Sequence, residues 1–558
     1  MALLRTLISA GKRVWRGSEQ SASARSSRAL SITCRGKSIS RDELFAYTNG
    51  HFLVNETHAC DRRFVRFDVD QLCSVAASAG GPLSPIQAIE KLEGGFSKAL
   101  LMRKEDEREI VAKIPFPIAG PPKYTTASEV AVLYYLQAHT SIPVPRVLAW
   151  SSDPSNPVGA EYIIMEKASG VQLFNTWGTM SDSDRFELVQ HITELEGELA
   201  SICFPASGSL YLRESLAKDE AQFELSRDAD PSQKFCIGPS CERQWNSQSE
   251  EDTKIVPSTN FDRGPWLNIS SLGDALVKRE VGRIREHYSI TMPDRPTIST
   301  EGQLAVLNMA TEVMSRLDTG TIIDRFSQPV LWHTDLHMGN IFVSSEDPTK
   351  VVSLIDWQSI SVSPLVLQAR FPEILSLDPD FVLDSAMPDL PEDYETLDAA
   401  DKQIAEFKTR QARMAKAYEV ASSVHNPQAY KAFFMPSFLQ DLFTRCGEAS
   451  EEGIIPLRAC LIQIAEAWDD IGFEGPCPLE FSDEEIQRHS QQFQEYRDFH
   501  RIQELAKKLL DTDSEGWISP QLDFTLKVQQ NKDLLEELMR RSNEYNKSPE
   551  EVRRIWPF

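Results

Sequence analysis

Hydrophobic positions in this chain alternate between two periods. In SDSDRFELVQHITELEGELASICF, Phe186, Val189, Ile192, Leu195, Leu199 and Ile202 recur every three or four residues, the spacing of a helix with one buried face. His191 falls on the polar side of that helix and is expected at the surface. EREIVAKIP (107–115) instead sets Ile110, Ala112 and Ile114 against Val111 and Lys113, the two-residue period of a strand. IQAIEKLEGG is strand-like up to Gly94-Gly95, and Phe96-Ser97-Lys98-Ala99-Leu100-Leu101 begins a return strand. RRFVRFDVDQLCSVAASA predicts an extended start and a helix after Asp68, and Asn49-Gly50 before it signals a tight turn. TASEVAVLYYLQA predicts a helix over 126–138, and GAEYIIMEKASG is an apolar strand ending at Met165-Glu166-Lys167. Further helices are expected near 272–287, 301–318, 396–422, 427–448 and 454–470, with a charged helical region after 480.

Two segments depart from these patterns. In the first forty residues Leu3, Leu4, Leu7, Ile8, Val14 and Trp15 cover one arc at helical spacing, while Arg5, Lys12, Arg13 and Arg16 lie opposite. An amphipathic, Arg- and Ser-rich, acid-poor start has the character of a mitochondrial transit peptide, and 1–40 are set aside as that leader, with Arg28-Ala29-Leu30-Ser31 resembling a cleavage context. Residues 215–260 are rich in Ser, Gln, Asp and Glu, and SQSEEDTKIVPST reads as a mobile insertion.

Charge narrows the function classes. Residues 41–558 carry 50 basic against 82 acidic side chains, a net −32. Such an acidic body offers no basic face for phosphate backbones, so a nucleic-acid partner is not expected. No apolar run reaches the length of a membrane span. The nine cysteines form no C-x-x-C pair, which suits free thiols in a reducing compartment. At 558 residues the chain exceeds one ordinary core.

The candidate chemistry lies in LWHTDLHMGNIFVSSEDPTKVVSLIDWQ (331–358). IFV (341–343) and VVSLI (351–355) are short β-branched runs on either side of a turn at Asp347-Pro348, which predicts a hairpin. Asp335 and Asn340 precede its first strand and Asp356 follows its second. A carboxylate, a carboxamide and a second carboxylate on one rigid support suit phosphoryl transfer. Asp335 would orient and deprotonate a hydroxyl, and Asn340 and Asp356 are oxygen ligands for Mg²⁺ on ATP. His333 is expected to hold the loop, and Trp332 and Trp357 to pack. Asp511 to Leu522 imitates a calcium loop, with acids at its first, third and fifth positions and Gly516 at its sixth. Its twelfth position is Leu522 rather than Glu, so it is read as a turn between helices.

His333-x-Asp335, Asn340 and the strand end at Asp356 resemble the H-x-D-x-x-x-x-N and I-D elements of the aminoglycoside phosphotransferase and choline-kinase-like family. His337 favours this branch over protein kinases. Thr334 and Met338 depart from its commonest form, HGDLHPGN, without removing a reacting group. YTNGHFLVNE and RRFVRFDVDQL are similar to a fungal mitochondrial subgroup, the altered inheritance of mitochondria proteins. The likeness runs from about Leu44 to the C-terminus. It implies an α+β, bilobal protein-kinase-like fold: a small antiparallel-sheet N-lobe and a large, mostly helical C-lobe with insertions. The expected parts are an N-terminal extension at 41–85, an N-lobe at 86–167, a C-lobe at 168–480 containing the hairpin 331–358, and a terminal region at 481–558. It implies ATP and Mg²⁺ as cofactors, Lys113 on the α- and β-phosphates, and Gly94, Gly95 and Ser97 close to phosphate. The backbone of Met165, Glu166 and Lys167 would contact adenine. Glu129, sixteen residues after Lys113, would hold that lysine, although Thr126-x-x-Glu129 also fits a capping box. The expected activity is a phosphotransferase of the mitochondrial matrix acting on a small-molecule hydroxyl. The alternatives are a silent pseudokinase scaffold with mitochondrial protein partners, or a protein kinase.

Overall fold

In this computed structural model, residues 30–246, 261–287, 299–319, 323, 326–375, 381–383, 386–542 and 547–558 are described. Most of the expected leader, and SQSEEDTKIVPST, lie outside them. The chain divides into two units: residues 1–119, 148–165 and 481–558 form one, and 120–147 with 166–480 the other. The charged helical terminal region, 481–558, groups with the first unit.

The strands of that unit are β1 (Ser31–Cys34), β2 (Lys37–Ser38), β3 (His51–Phe52), β4 (Ile86–Glu93), β5 (Ser97–Lys104) and β6 (Glu109–Pro115), with β7 (Val147–Ser151) and β8 (Tyr162–Glu166) at its border. A seven-stranded sheet takes the order β2-β1-β4-β5-β6-β8-β7. Its centre follows the predicted alternation. β4 and β5 pair antiparallel down to Glu93↔Lys98, and β5 and β6 from Ser97↔Pro115 to Arg103↔Glu109. One pair is parallel, β1 against β4, with Ile32 opposite Ile89. Residues 31–38, which the sequence assigns to the leader, pair in this sheet, and Ile32 is buried in the core.

Inward residues of β4–β6, including Ile89, Leu100, Met102, Ile110, Ala112 and Ile114, pack with Leu72 and Ala76 of the helix Val69–Ser78. That helix begins where the sequence indicates, its N-cap Asp68 accepting from the Gln71 amide. The strand Trp517–Ile518 pairs antiparallel with β3. Asp513 accepts from the amides of Glu515 and Trp517, each at 2.9 Å. The calcium-loop imitation therefore sets a turn into a strand rather than a simple link between helices.

The second unit is mainly helical. Its helices include Tyr124–His139, Asp182–Ser201, Ile269–His287, Thr300–Met314, Ala399–His425 and Ile455–Glu466. Its strands are β9 (Val171–Gln172), β10 (Ser209–Leu212), β11 (Phe223–Glu224), β12 (Phe235–Gly238), β13 (Pro329–Leu331), β14 (Ile341–Val343), β15 (Val351–Leu354) and β16 (Val362–Pro364). β10-β12-β11 form a small sheet with Tyr211, Cys236 and Ile237 buried, its last two strands within the polar stretch 215–260. Among the described residues no helix is long and apolar enough to cross a membrane. A mixed sheet in one unit and a mainly helical body in the other make this an α+β fold.

Candidate active site

The site in the second unit is a loop strung between two pairs of strands. β13 enters it paired with β16, and β14 leaves it paired with β15, as predicted, and also with β9. Trp332 and Trp357 are fully buried beneath it. His333, also buried, packs edge-on against Trp357 at 4.6 Å between centroids. Its Nε2 lies 3.0 Å from the carbonyl of Ile355. A carbonyl can only accept, so Nε2 carries the proton. Burial lowers the pKa of this histidine, the carbonyl bond and the Asp335 and Asp356 charges opposing that shift, and a neutral ring suits the bond it makes. His333 thus ties the start of the loop to the residue before Asp356.

Asn340 makes the second tie. Its Nδ2 donates to the Asp335 carbonyl at 3.0 Å, its amide donates to the His337 carbonyl at 2.9 Å, and its carbonyl accepts from Ile355 at 3.0 Å. That bond leaves Oδ1 as the other end of the carboxamide. Among the described residues nothing donates to that oxygen, and it suits a hard cation. The Asp356 carboxylate is a donor of the same kind, so the pair fits Mg²⁺ chemically. Asp356 has φ +65 and Ser359 φ +60, a left-handed conformation that asparagine and aspartate tolerate better than most residues. The Asp335 side chain is 57% exposed, with His337 Nε2 at 4.0 Å from its Oδ2. Asp335, Asn340 and Asp356 are therefore gathered by hydrogen bonds that pass through His333 and Ile355.

Three supports of this loop were not anticipated. Gln172 of β9 is buried and donates from Nε2 to the Gly339 carbonyl at 3.0 Å. Gly170 before it has φ +84, and a Cβ there would strike the Val343 carbonyl, so the strand can approach β14 only with glycine at 170. Gln368 donates to the carbonyls of Val330 and Ser363, at 2.9 and 2.8 Å, and clamps β13 to β16. His191 is not a free surface residue. Its Nδ1 accepts from the Val351 amide at 3.2 Å, because its helix lies against the start of β15. A lone glutamine or histidine carries no sequence signal for such a role.

The remaining predicted residues lie apart from this loop in the chain. In the first unit, Gly94 donates to the Ser97 carbonyl at 2.9 Å and closes the β4–β5 turn. Gly95 is exposed, with open space where a Cβ would stand. Ser97 is half-buried at the start of β5, and Lys113 is buried on β6 opposite Ala99. The turn is held from outside. Asn49 donates to the Glu93 carbonyl at 2.7 Å, and Arg63 donates to the Gly95 carbonyl at 3.2 Å while bonding Glu515. Arg63 and Glu515 are 452 positions apart, so sequence proximity gave no warning of the pair. The units divide between Met165 and Glu166, inside the predicted adenine segment. Met165 is buried, and Glu166 and Lys167 are exposed.

Glu129 is buried on the helix Tyr124–His139, whose N-cap is Lys123. That corrects the capping-box alternative: Thr126 is already inside the helix, so Glu129 does not close its start.

Residues 316–367 match the phosphotransferase enzyme family. A subtelomeric hrmA-associated cluster protein of Aspergillus fumigatus is 30% identical over 84% of this chain and 95% of its own length. The mitochondrial altered inheritance of mitochondria protein 9 of Saccharomyces cerevisiae is 22% identical over 86% of each chain. Among solved structures, a streptomycin–ATP ternary complex of APH(2″)-IIa is similar over 72% of this chain and 97% of that one, at 14% identity and TM-score 0.34. An ADP-bound aminoglycoside phosphotransferase is similar over 71% and 97%, at 13% identity and TM-score 0.33.

Proposed function

The chain belongs to the phosphotransferase enzyme family, and we propose that it transfers the γ-phosphoryl group of ATP to a hydroxyl of a small-molecule acceptor in the mitochondrial matrix. The observation that carries this reading is the hydrogen-bonded loop in which Asn340 holds the Asp335 carbonyl while His333 and Asn340 both grip Ile355, next to Asp356. Asp335 takes the proton of the acceptor hydroxyl as that oxygen bonds to the γ-phosphorus, and the bond from phosphorus to the β–γ bridging oxygen breaks to release ADP. Its exposed carboxylate is open to such a proton. Asn340 Oδ1 and Asp356 would hold Mg²⁺, which neutralises charge on the phosphates. Two protein oxygens are few for that ion, which commonly completes its shell with water and nucleotide phosphate. Lys113 neutralises the α- and β-phosphates with Glu129 as its carboxylate partner, Gly94, Gly95 and Ser97 line phosphate, and the backbone of Met165, Glu166 and Lys167 meets adenine. The chemistry is positioning and charge stabilisation. The mitochondrial name of one relative and the basic, amphipathic first forty residues support the location.

The test is calorimetric Mg-ATP binding beside product formation from a mitochondrial metabolite extract. Asp335→Asn keeps size but loses the base, so turnover should fall by about 10² to 10⁴ while Mg-ATP still binds. Asp356→Asn should lower both. A parent that binds Mg-ATP but forms no product, together with an Asp335→Asn variant that still rescues a deletion strain, would establish a scaffold instead.

A further inference from the structure

A cavity of about 220 Å³ lies beside the catalytic loop within the second unit, and Glu196, Trp332, His333, Thr334, Arg370 and Glu373 are among its lining residues. We infer that this cavity takes the anionic group of the acceptor, with Arg370 as its ligand, so that the acceptor is a small hydroxylated anion; the inference rests on the phosphotransferase reading above.

Arg370 is the unusual residue. Its Nε donates to the Gln368 carbonyl at 3.3 Å. Among the described residues its two terminal nitrogens have no hydrogen-bond partner, and no carboxylate lies within ion-pair distance. Structural arginines elsewhere in this chain behave differently. Arg279 bonds Glu280 at 2.9 Å, the Gln244 carbonyl at 3.0 Å and the Gly447 carbonyl at 2.8 Å. Arg63 spends its guanidinium on Ala59, Gly95 and Glu515. Arg370 is exposed yet lines a concave wall, so a planar fork of donors is left for a ligand. Carboxylate and phosphate oxygens match that fork.

The surroundings favour the same occupant. Thr334, next to Asp335 in the chain, lines the same cavity, and the Asp335 charge acts on the Arg370 guanidinium, so a small molecule with its anion on Arg370 would carry its hydroxyl towards Asp335. The space equals about seven waters of liquid volume, enough for a molecule of a few carbons. Burial pushes the Glu196 carboxyl up to about 8, so near neutral pH it adds little negative charge to the wall. Glu373, exposed, carries the opposite charge, so an amine beside the anion would gain a second contact.

The experiment titrates the mature full-length chain calorimetrically, without nucleotide, with D-glycerate, L-serine, glycerol 3-phosphate and choline. At least one anionic probe should bind roughly tenfold more tightly than choline. Arg370→Gln should weaken that anion by roughly 10-fold to 100-fold, the worth of a hydrogen bond to a charged group. Arg370→Lys should lose less, because it keeps the charge and not the fork, and it carries the test if the glutamine variant fails to fold. Tighter glycerate identifies a hydroxy acid, tighter serine a hydroxylated amino acid that also engages Glu373, and tighter glycerol 3-phosphate a phosphate monoester. Tighter choline, anion binding unchanged in both Arg370 variants, or no anion bound at about 10 mM would overturn the inference. A chain that binds the anion but not Mg-ATP would sink the phosphotransferase reading and leave this site standing.

Discussion

Replacing Glu196 with glutamine should stabilise the protein at alkaline pH and change little in acid. Glu196 sits on the buried face of the helix Asp182–Ser201, where its Oε2 accepts from the Tyr418 hydroxyl at 2.6 Å. Burial pushes its carboxyl up from 4.5 to about 8, the Tyr418 bond only partly opposing the rise. The folded state therefore holds this proton where the unfolded chain has already lost it. Below 4.5 both states are protonated and the contribution is complete. It is lost progressively as pH rises from 4.5 to about 8, the slope being negative because the native state binds more protons. A tenfold difference in proton affinity corresponds to about 1.4 kcal/mol, so the loss across this window has a ceiling of about 5 kcal/mol. Glutamine keeps an oxygen for Tyr418 and has nothing to ionise. Guanidinium unfolding of parent and Glu196→Gln, followed by near-UV circular dichroism at pH values of about 5, 7 and 9, reads the difference directly. Titrations elsewhere are common to both proteins and cancel. The variant's midpoint should match the parent's in acid and exceed it increasingly towards pH 9. Parallel profiles across the range would contradict this account, because they would mean that the carboxylate forms inside the fold without cost.

Two further outcomes follow. Glu129→Gln should weaken Mg-ATP binding or turnover while leaving the unfolding midpoint nearly unchanged; unaltered kinetics would remove the proposed partnership with Lys113. If the proposed leader is removed, the mature N-terminus, read by mass spectrometry, should lie at or before Ser31, since cleavage at 40 would strip β1 and β2 from the sheet. A mature chain beginning after Ser38 would show that the sheet does without that edge.

The legible parts of this molecule are those whose cause is local. Alternation in EREIVAKIP sets the faces of β6, Asp68 marks the start of its helix, and the turn at Asp347-Pro348 separates β14 from β15. In each case the side chains that decide the conformation lie within a few residues of it. The assembly of the loop is legible for a related reason: Asp335, Asn340 and Asp356 are spaced by one loop and one hairpin, so the hydrogen bonds that tie them follow from local geometry. Residues 31–38 read as leader because the leader signal, Arg-rich and acid-poor, grades into a strand whose partner β4 begins only at Ile86. The start of one helix misleads for the opposite reason. Thr126-x-x-Glu129 has the right local letters for a cap, yet the chain turns earlier, at Lys123 with φ +70.

What could not be read are the supports made across long separations. Gln172 to Gly339, Tyr418 to Glu196 and Arg63 to Glu515 join residues 167, 222 and 452 positions apart. Each is an ordinary polar residue whose meaning comes wholly from its partner. Arg370 belongs to the same class with the sign reversed: among the described residues its terminal nitrogens have no hydrogen-bond partner, a property no sequence pattern encodes. In the proposed reading, the loop's reaction type is written in local spacing, whereas the acceptor is selected by a wall assembled from distant segments, Glu196 on one helix and Thr334 to Glu373 around the strands. It follows that two chains with the same HTDLHMGN loop could act on different acceptors by exchanging the side chain at 370. An Arg370→Gln protein that kept Mg-ATP binding but changed its acceptor would demonstrate that separation.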